Sequence, residues 1–505
     1  MALIDNLALG FDTALSATTL FWCFAGVTLG TFIGVLPGVG ALATVSMLLP
    51  LTFHLDPTTA LVMLAGIYYG AQYGGSTASI LLNLPGTPSA AVTCLDGYPM
   101  AKQGRAGVAL AMTTVASFFG SCVAIVIIAK FAAPLAEVAL RFGPAEYFSM
   151  MVLGLLAAAT LAQGSPFKGV AVVVIGLLLG LVGTDVNTGM QRFTFGIPDL
   201  FDGLNLVAVA MGLFGVAEVI ANVGKVRTVS GDAGRITLRS LIPTRDDVRR
   251  SWFPMIRGSG VGAFFGILPG TGSSIAAFMS YAVEKRVAKD PSRFGKGAIE
   301  GIMAPESANN SAAQSAFIPT LTLGIPGDAV MALMLGALMI HGIAPGPRVV
   351  VEHPQLFWGL IASFWIGNIM LVILNLPLVG IWVKMLQIPY RILYPSILLF
   401  ICIGVYSINN NAFDVLQVVV FGLLGYGMMI MGFEPAPLLL GYILGPLMEE
   451  HLRRALLLSR GDMTVFLTRP ISAGFLTATF LLIAFVTWSA LRRRRRPAPA
   501  MVPGA

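Results

Sequence analysis

The feature that most constrains this chain is a succession of apolar runs, each about 18–25 residues long and nearly free of charge. A run of that length crosses a hydrocarbon core of about 30 Å as a single helix. Of the 505 residues, 56% are hydrophobic and only 11% charged, with a mean hydropathy of +0.84. A soluble domain carries about 25% charged residues and needs a polar skin. These runs therefore exclude a cytosolic enzyme, a secreted disulfide scaffold and a disordered chain. They also argue against a β-barrel, whose strands would alternate apolar and polar residues. The expected fold is an all-α polytopic membrane protein.

The 57 glycines and 30 prolines sit inside apolar runs rather than in linkers. In lipid, a broken helix persists only where its freed backbone groups are buried or line a cavity. The net charge of +7 does not indicate a nucleic-acid partner. The cations flank the membrane segments: Lys225 to Arg257 holds eight Lys/Arg against three Asp, and Arg492 to Arg496 is an unbroken arginine run. Loop positive charge of this kind marks the cytoplasmic side. The N-terminus carries Asp5 and Asp12 and no cation, so Leu15 to Leu36 reads as a retained membrane segment and not a signal peptide. Cys23, Cys94, Cys122 and Cys402 show no ligand spacing and read as packing residues.

Walking the charge rule along the chain places the N-terminus outside. The run Leu15–Leu36 breaks at Pro37-Gly38 and returns as Val39–Phe53, a re-entrant hairpin. An interrupted crossing from Thr58 to Pro99 follows. Spans are expected near Val108–Lys130, Tyr147–Leu161, Phe167–Val182 and Leu204–Val223. The second half begins inside with a hairpin broken at Pro269-Gly270, then an interrupted crossing from Pro305 to Ile343. Spans near Phe357–Val383, Tyr394–Val405, Phe413–Met431 and Pro437–Leu447 precede a last helix, Ile471–Leu491, which ends inside. This divides the chain into a first membrane repeat (1–224), a basic cytoplasmic loop (225–257), a second repeat (258–470) and a final helix with a basic tail (471–505).

The halves resemble each other. Gly34-Val35-Leu36-Pro37-Gly38-Val39-Gly40 matches Gly266-Ile267-Leu268-Pro269-Gly270-Thr271-Gly272, and Asn83-Leu84-Pro85-Gly86 matches Gly324-Ile325-Pro326-Gly327. Phe167 with Gly176 recurs as Phe413 with Gly422. The first hairpin opens outward and the second inward, so the repeats read as inverted, an architecture of secondary transporters. Proline ends a helix and glycine permits a turn through positive φ. The restarting helix then offers unpaired N–H groups and a positive dipole end to an anion. The bland alternative is a proline kink with tight glycine packing.

Polar residues cluster beside these breaks: Gln72, Tyr73, Ser76, Thr77, Ser79, Asn83, Thr87 and Ser89 in the first half, and Thr271, Ser273, Ser274, Glu306, Ser307, Asn309, Asn310, Ser311 and Gln314 in the second. In hydrocarbon such groups face one another or a wet cavity. The apolar segments hold almost no Lys or Arg, so an Arg–carboxylate clamp is not available there. A bound carboxylate would be held by backbone N–H groups at Gly38, Gly40, Gly86, Gly270, Gly272, Gly324 and Gly327, by Ser76, Thr77, Asn83, Thr87, Thr271, Ser273, Ser274, Asn309 and Asn310, and by a co-bound cation. Gln72, Glu306 and Asp328 are the coupling-ion candidates. Glu306 has the alternative of charging a helix start at the inner surface, and Asp328 that of capping its half-helix. His341 reads as a packed, hydrogen-bonded residue. No HExxH, Walker A or G-x-S-x-G sequence appears, so neither a cofactor nor a transition metal is expected.

Gly34–Gly40, Tyr69-Gly70-Ala71-Gln72-Tyr73-Gly74-Gly75-Ser76, Asn83–Pro88, Gly266–Gly272, Pro305-Glu306-Ser307-Ala308-Asn309-Asn310 and Gly324–Gly327 resemble the large membrane subunit of the tripartite tricarboxylate transporter family, of TctA type. The resemblance covers nearly the whole chain. It implies a bacterial inner-membrane permease that works with a small membrane subunit and a periplasmic solute-binding protein. It also implies uptake of a di- or tricarboxylate coupled to Na+ or H+, by an elevator-like motion. An ion or anion channel with a discontinuous-helix filter is the alternative.

Overall fold

The computed structural model describes residues 3–36, 40–139, 141–161, 166–185, 188–222, 237–268, 271–346, 348–386 and 390–494. Helices dominate it. The first half comprises α1 (Leu3–Ala14), α2 (Ala17–Val35), α3 (Gly40–Thr52), α4 (Pro57–Leu82), α5 (Thr93–Met100), α6 (Ala106–Ala139), α7 (Pro144–Leu161), α8 (Pro166–Gly180), α9 (Leu206–Ala210) and α10 (Ala217–Asn222). A π-helical stretch, Met211–Val216, joins α9 to α10. The second half comprises α11 (Arg245–Ile267), α12 (Gly272–Val287), α13 (Glu300–Ser315), α14 (Phe317–Leu323), α15 (Ala329–Ile340), α16 (Val349–Glu352), α17 (Pro354–Asn375), α18 (Val379–Met385), α19 (Tyr390–Asn409), α20 (Ala412–Ile430), α21 (Ala436–Leu458), α22 (Val465–Thr468) and α23 (Pro470–Arg494). A two-residue antiparallel ribbon pairs Gly183 with Arg192.

Among the described residues, five helical stretches are long and apolar enough to cross a membrane: Ala17–Val35, Thr93–Phe131, Pro354–Asn375, Ala412–Ile430 and Pro470–Trp488. The interior of α4 is buried throughout, which explains why it contains Gly, Ser, Thr and Gln rather than a lipid-facing stripe. The outer helix α23 instead exposes Phe480, Leu481, Phe485 and Trp488.

Two glycine ladders set the helix pairs α2–α4 and α11–α13. Gly26, Gly30 and Gly34 of α2 press on the backbone of Met63, Ile67 and Ala71 in α4. Gly258, Gly262 and Gly266 of α11 press on Ala304, Ala308 and Ala312 of α13. A Cβ on Gly34 would sit 2.8 Å from Cα of Ala71, and one on Gly266 2.8 Å from Cα of Ala312. Small residues every fourth position allow this backbone-to-backbone approach.

Both pairs end in matching breaks. Helix α4 stops at Asn83, in left-handed backbone (φ 57°), and α14 stops at Gly324 (φ 68°). Gly86 then packs on the carbonyl of Gly34, and Gly327 lies 3.4 Å from that of Gly266, measured from an added Cβ. Buried Asp96 ties the halves together, its Oδ1 accepting from the backbone N–H of Gly295 (2.9 Å), Gly297 (2.8 Å) and Ala298 (2.8 Å).

Several boundaries differ from the sequence reading. Residues 3–14 form α1, whose Gly10 packs on Trp358 in α17. The basic stretch before residue 258 already contains the first turns of α11, capped by Thr244 and Asp247. The single span expected at Phe357–Val383 is broken after Asn375, where Leu376 ends α17. The segments at 394–405 and 437–447, for which the sequence left longer, tilted or half-helices open, lie within the longer helices α19 and α21. The expected hydrogen bond of His341 is missing at Nε2, which is buried with no partner among the described residues.

Candidate functional site

A cavity of about 570 Å³ opens where the starts of α3 and α12 meet the segments that follow the two helix breaks. The start of α3 (Gly40–Ala43) and the segment Pro85–Ser89 come from the first half, and Thr271–Ile275, Pro326 and Asp328–Val330 from the second. Tyr68 and Gln72 of α4 project into it, and Leu213, Phe214, Glu218, Met429 and the Glu434–Pro437 turn complete the wall.

Local chemistry explains why helices begin at this cavity. Gly40 (φ 65°) and Gly272 (φ 61°) take the left-handed conformation that an L side chain rarely adopts. Thr271, at the N-cap of α12, makes no side-chain cap bond; its hydroxyl donates instead to the carbonyls of Phe265 and Leu268 (2.9 Å to the latter). The first N–H groups of α12 are therefore left without a side-chain cap, and Gly272, Ser273 and Ser274 line the cavity. Asp328, by contrast, caps α15 by accepting from Met331 N at 2.9 Å.

Two side-chain contacts bridge the halves inside the cavity wall. Gln72 Nε2 donates to Ser273 Oγ (3.3 Å), while Gln72 Oε1 accepts from Thr87 (3.3 Å) and Ser89 (2.7 Å). The Tyr68 hydroxyl donates to Asp328 Oδ2. Among the described lining residues, three carboxylates (Glu218, Asp328 and Glu434) are present and Lys, Arg and His are absent.

The structure thus brings together Gly40, Gln72, Gly86, Thr87, Thr271, Gly272, Ser273, Ser274 and Asp328. It separates the rest. Ser76 turns away and donates to Glu306 Oε1 (2.7 Å). Thr77, Asn309 and Asn310 are buried but do not line the cavity. Asn83 and Gly324 end their helices at left-handed φ, and Gly327 packs on Ala316. Gly38 and Gly270 lie outside the described residues. Glu306 is not at a helix start. It lies inside α13, 1% exposed, and accepts hydroxyl hydrogen bonds from Ser76, Thr93 and Ser117. Tyr68, Thr93, Ser117 and Glu218 escaped the sequence reading. Tyr68 stands one turn before Gln72, and that spacing was its available signal.

The architecture defines a polytopic α-helical membrane protein with a cavity between its halves, mainly apolar in lining and carrying a few polar groups. The sequence profile of the tripartite tricarboxylate transporter TctA family matches residues 20–440, and the chain belongs to that family. It is 55% identical, over 495 residues and 98% of each chain, to a protein of Agrobacterium vitis described as the uncharacterized 52.8 kDa protein in the TAR-I ttuC' 3' region. It is also 58% identical over 234 residues to an uncharacterized protein of the TAR-II ttuC' 3' region of the same organism, covering 46% of this chain and 97% of that one. The family is one of transporter subunits.

Proposed function

We propose that this chain is the membrane permease of a bacterial secondary transporter and imports a small organic carboxylate. The carboxylate, of the di- or tricarboxylate class, binds in the cavity between the halves. The observation that carries this reading is the α12 N-terminus, uncapped by any side chain and facing the cavity with Gly272, Ser273 and Ser274. Its N–H groups and dipole suit an anion without a buried cationic side chain. Among the described residues the cavity lining holds no Lys, Arg or His, so in this reading a co-bound cation balances the carboxylate and uptake is coupled to Na+ or H+.

In this reading 1–224 and 258–470 are inverted repeats with re-entrant hairpins, joined by a cytoplasmic loop at 225–257 and followed by the final segment, 471–505. The paired glycine ladders and the equivalent breaks at Asn83 and Gly324 support it. The protein lies in the inner membrane, N-terminus outside and C-terminus inside, and moves the carboxylate by an elevator-like shift. A periplasmic solute-binding protein delivers the substrate and a small membrane subunit completes the complex. Uptake into proteoliposomes of the complex, with a panel of di- and tricarboxylates and imposed Na+ or proton gradients, tests this. Saturable, gradient-dependent accumulation is expected; ohmic conductance without accumulation would replace the transporter with a channel.

A further inference from the structure

We propose that a monovalent cation of sodium size binds between α4, α6 and α13, at a site centred on Glu306 and separate from the carboxylate cavity. This deepens the coupling reading above and rests on it.

Glu306 is the starting point. Its carboxylate is buried in the middle of α13, and among the described residues its hydrogen-bond partners are hydroxyls: Ser76 at 2.7 Å and Thr93 on Oε1, Ser117 at 3.3 Å on Oε2. None of these partners is cationic. A buried carboxylate without a counter-charge is strongly unfavourable, and hydroxyl donors alone do not neutralise it.

The same helix face continues with orphaned oxygens. Asn310 and Gln314 follow Glu306 at successive fourth positions and therefore share its face. Both are 0% exposed. Asn310 Nδ2 donates to Ser117 Oγ (2.8 Å), but Asn310 Oδ1 meets no hydrogen-bond partner among the described residues. Among the described residues, neither polar atom of Gln314 meets one. Buried amides left unpaired in this way require a partner.

A proton on Glu306 would remove the charge and still leave Asn310 Oδ1 and Gln314 Oε1 unsatisfied. A small alkali cation beside Glu306 and Asn310, one helical turn apart, answers the charge and the Asn310 oxygen at once, because a carboxylate with neutral oxygens is its preferred hard donor set; Gln314, about 12 Å along the helix axis from Glu306, stands outside that set. A single carboxylate favours a monovalent ion over a divalent one.

None of Glu306, Ser117, Asn310 and Gln314 lines the cavity. The two sites meet through α4, where Gln72 in the cavity wall stands one turn from Ser76 on Glu306. Occupancy at Glu306 thus bears on the α4 face that holds Ser273.

The test uses the purified full-length chain in detergent, without substrate or partner subunits. Thermal unfolding is followed while NaCl replaces choline chloride at constant ionic strength. A saturable Na+-dependent rise in Tm is expected, absent in Glu306→Gln and shifted to about tenfold higher Na+ in Asn310→Ala. The exposed Glu352→Gln keeps the wild-type response. Binding of radiolabelled sodium gives a second readout if Glu306→Gln unfolds on extraction; Asn310→Ala and Ser117→Ala must then weaken it. No Na+ response in wild type, or an unchanged response in Glu306→Gln, overturns the site. A Na+ response lost in Glu306→Gln in a chain whose complex takes up no carboxylate keeps the site and removes the transport reading.

Discussion

Gln72 donates from Nε2 to Oγ of Ser273 at 3.3 Å, joining residues 201 positions apart across the cavity. The same amide accepts from Thr87 and Ser89, so one side chain holds three elements: α4, the first helix break and the start of α12. Gln72→Ala removes all three bonds. Each neutral bond contributes about 0.5–1.5 kcal/mol, so the initial rate of carboxylate uptake is expected to fall about tenfold or more. Uptake normalised to membrane protein level by immunoblot checks this, and an unchanged rate would detach Gln72 from the site.

The glycine ladders predict a contrast within one residue type. In Gly34→Ala the new Cβ meets the Ala71 carbonyl, with Cα of Ala71 2.8 Å away. Backbone cannot yield as a flexible side chain does, so α2 and α4 must separate. A loss of about 1–3 kcal/mol is expected. In Gly260→Ala, on the open side of α11, nothing lies within 4 Å, and helix propensity favours alanine by up to about 1 kcal/mol. Thermal unfolding in detergent should show a lower Tm for the first and an equal or higher one for the second.

The helix breaks were legible because proline and glycine punctuate a chain locally. Asn83-Leu84-Pro85-Gly86 and Gly324-Ile325-Pro326-Gly327 announce their turns whatever surrounds them. The partners of Glu306 were not legible. Ser76, Thr93 and Ser117 reach it from three segments, and only the docking of α4, α5 and α6 on α13 selects them. Charge periodicity likewise missed α1, whose Asp5 and Asp12 lie on a helix packed against α17 through Gly10. The basic stretch also obscured the start of α11, since arginines satisfy both a cytoplasmic loop and a helix end.

That helix start carries a pH dependence. Burial alone would raise the Asp247 carboxyl, but hydrogen bonds from Arg105 (2.6 Å) and Thr244 outweigh it and hold the group below its ordinary value. Its folded value is depressed, so its stabilisation is full above the unfolded value of about 3.9. It disappears as pH falls through the folded value. Tm measured from about pH 7 to about pH 3 should show Asp247→Asn below wild type at neutral pH, with the gap closing in acid. A gap independent of pH would assign the loss to the capping bond alone.

The orientation reading predicts opposite faces for the two ends. Asp5 and Asp12 stand against the arginine run Arg492–Arg496, and the charge rule puts the first outside and the second inside. Single cysteines, Asp5→Cys and Ala498→Cys, in a chain stripped of its four native cysteines, report this by labelling intact cells. Only Asp5→Cys should react with an impermeant maleimide. Labelling of both positions would sink the inverted arrangement of the repeats.

The start of α12 should distinguish backbone from side-chain recognition. Gly272 adopts φ 61°, and a side chain there would also approach Cβ of Asp328 at 3.4 Å. A β-branched residue tolerates that backbone poorly, so Gly272→Val must shift the turn and with it the N–H groups of the first α12 turn. Ser273→Ala removes one hydroxyl, its bond from Gln72 and about 0.5–1.5 kcal/mol, and leaves those N–H groups in place. Gly272→Val is therefore expected to abolish carboxylate uptake while the protein still inserts. Ser273→Ala should slow uptake by no more than about tenfold. Uptake assays with immunoblots of the membrane fraction compare them, and normal uptake by Gly272→Val would reduce the glycine turn to a packing device with no part in binding.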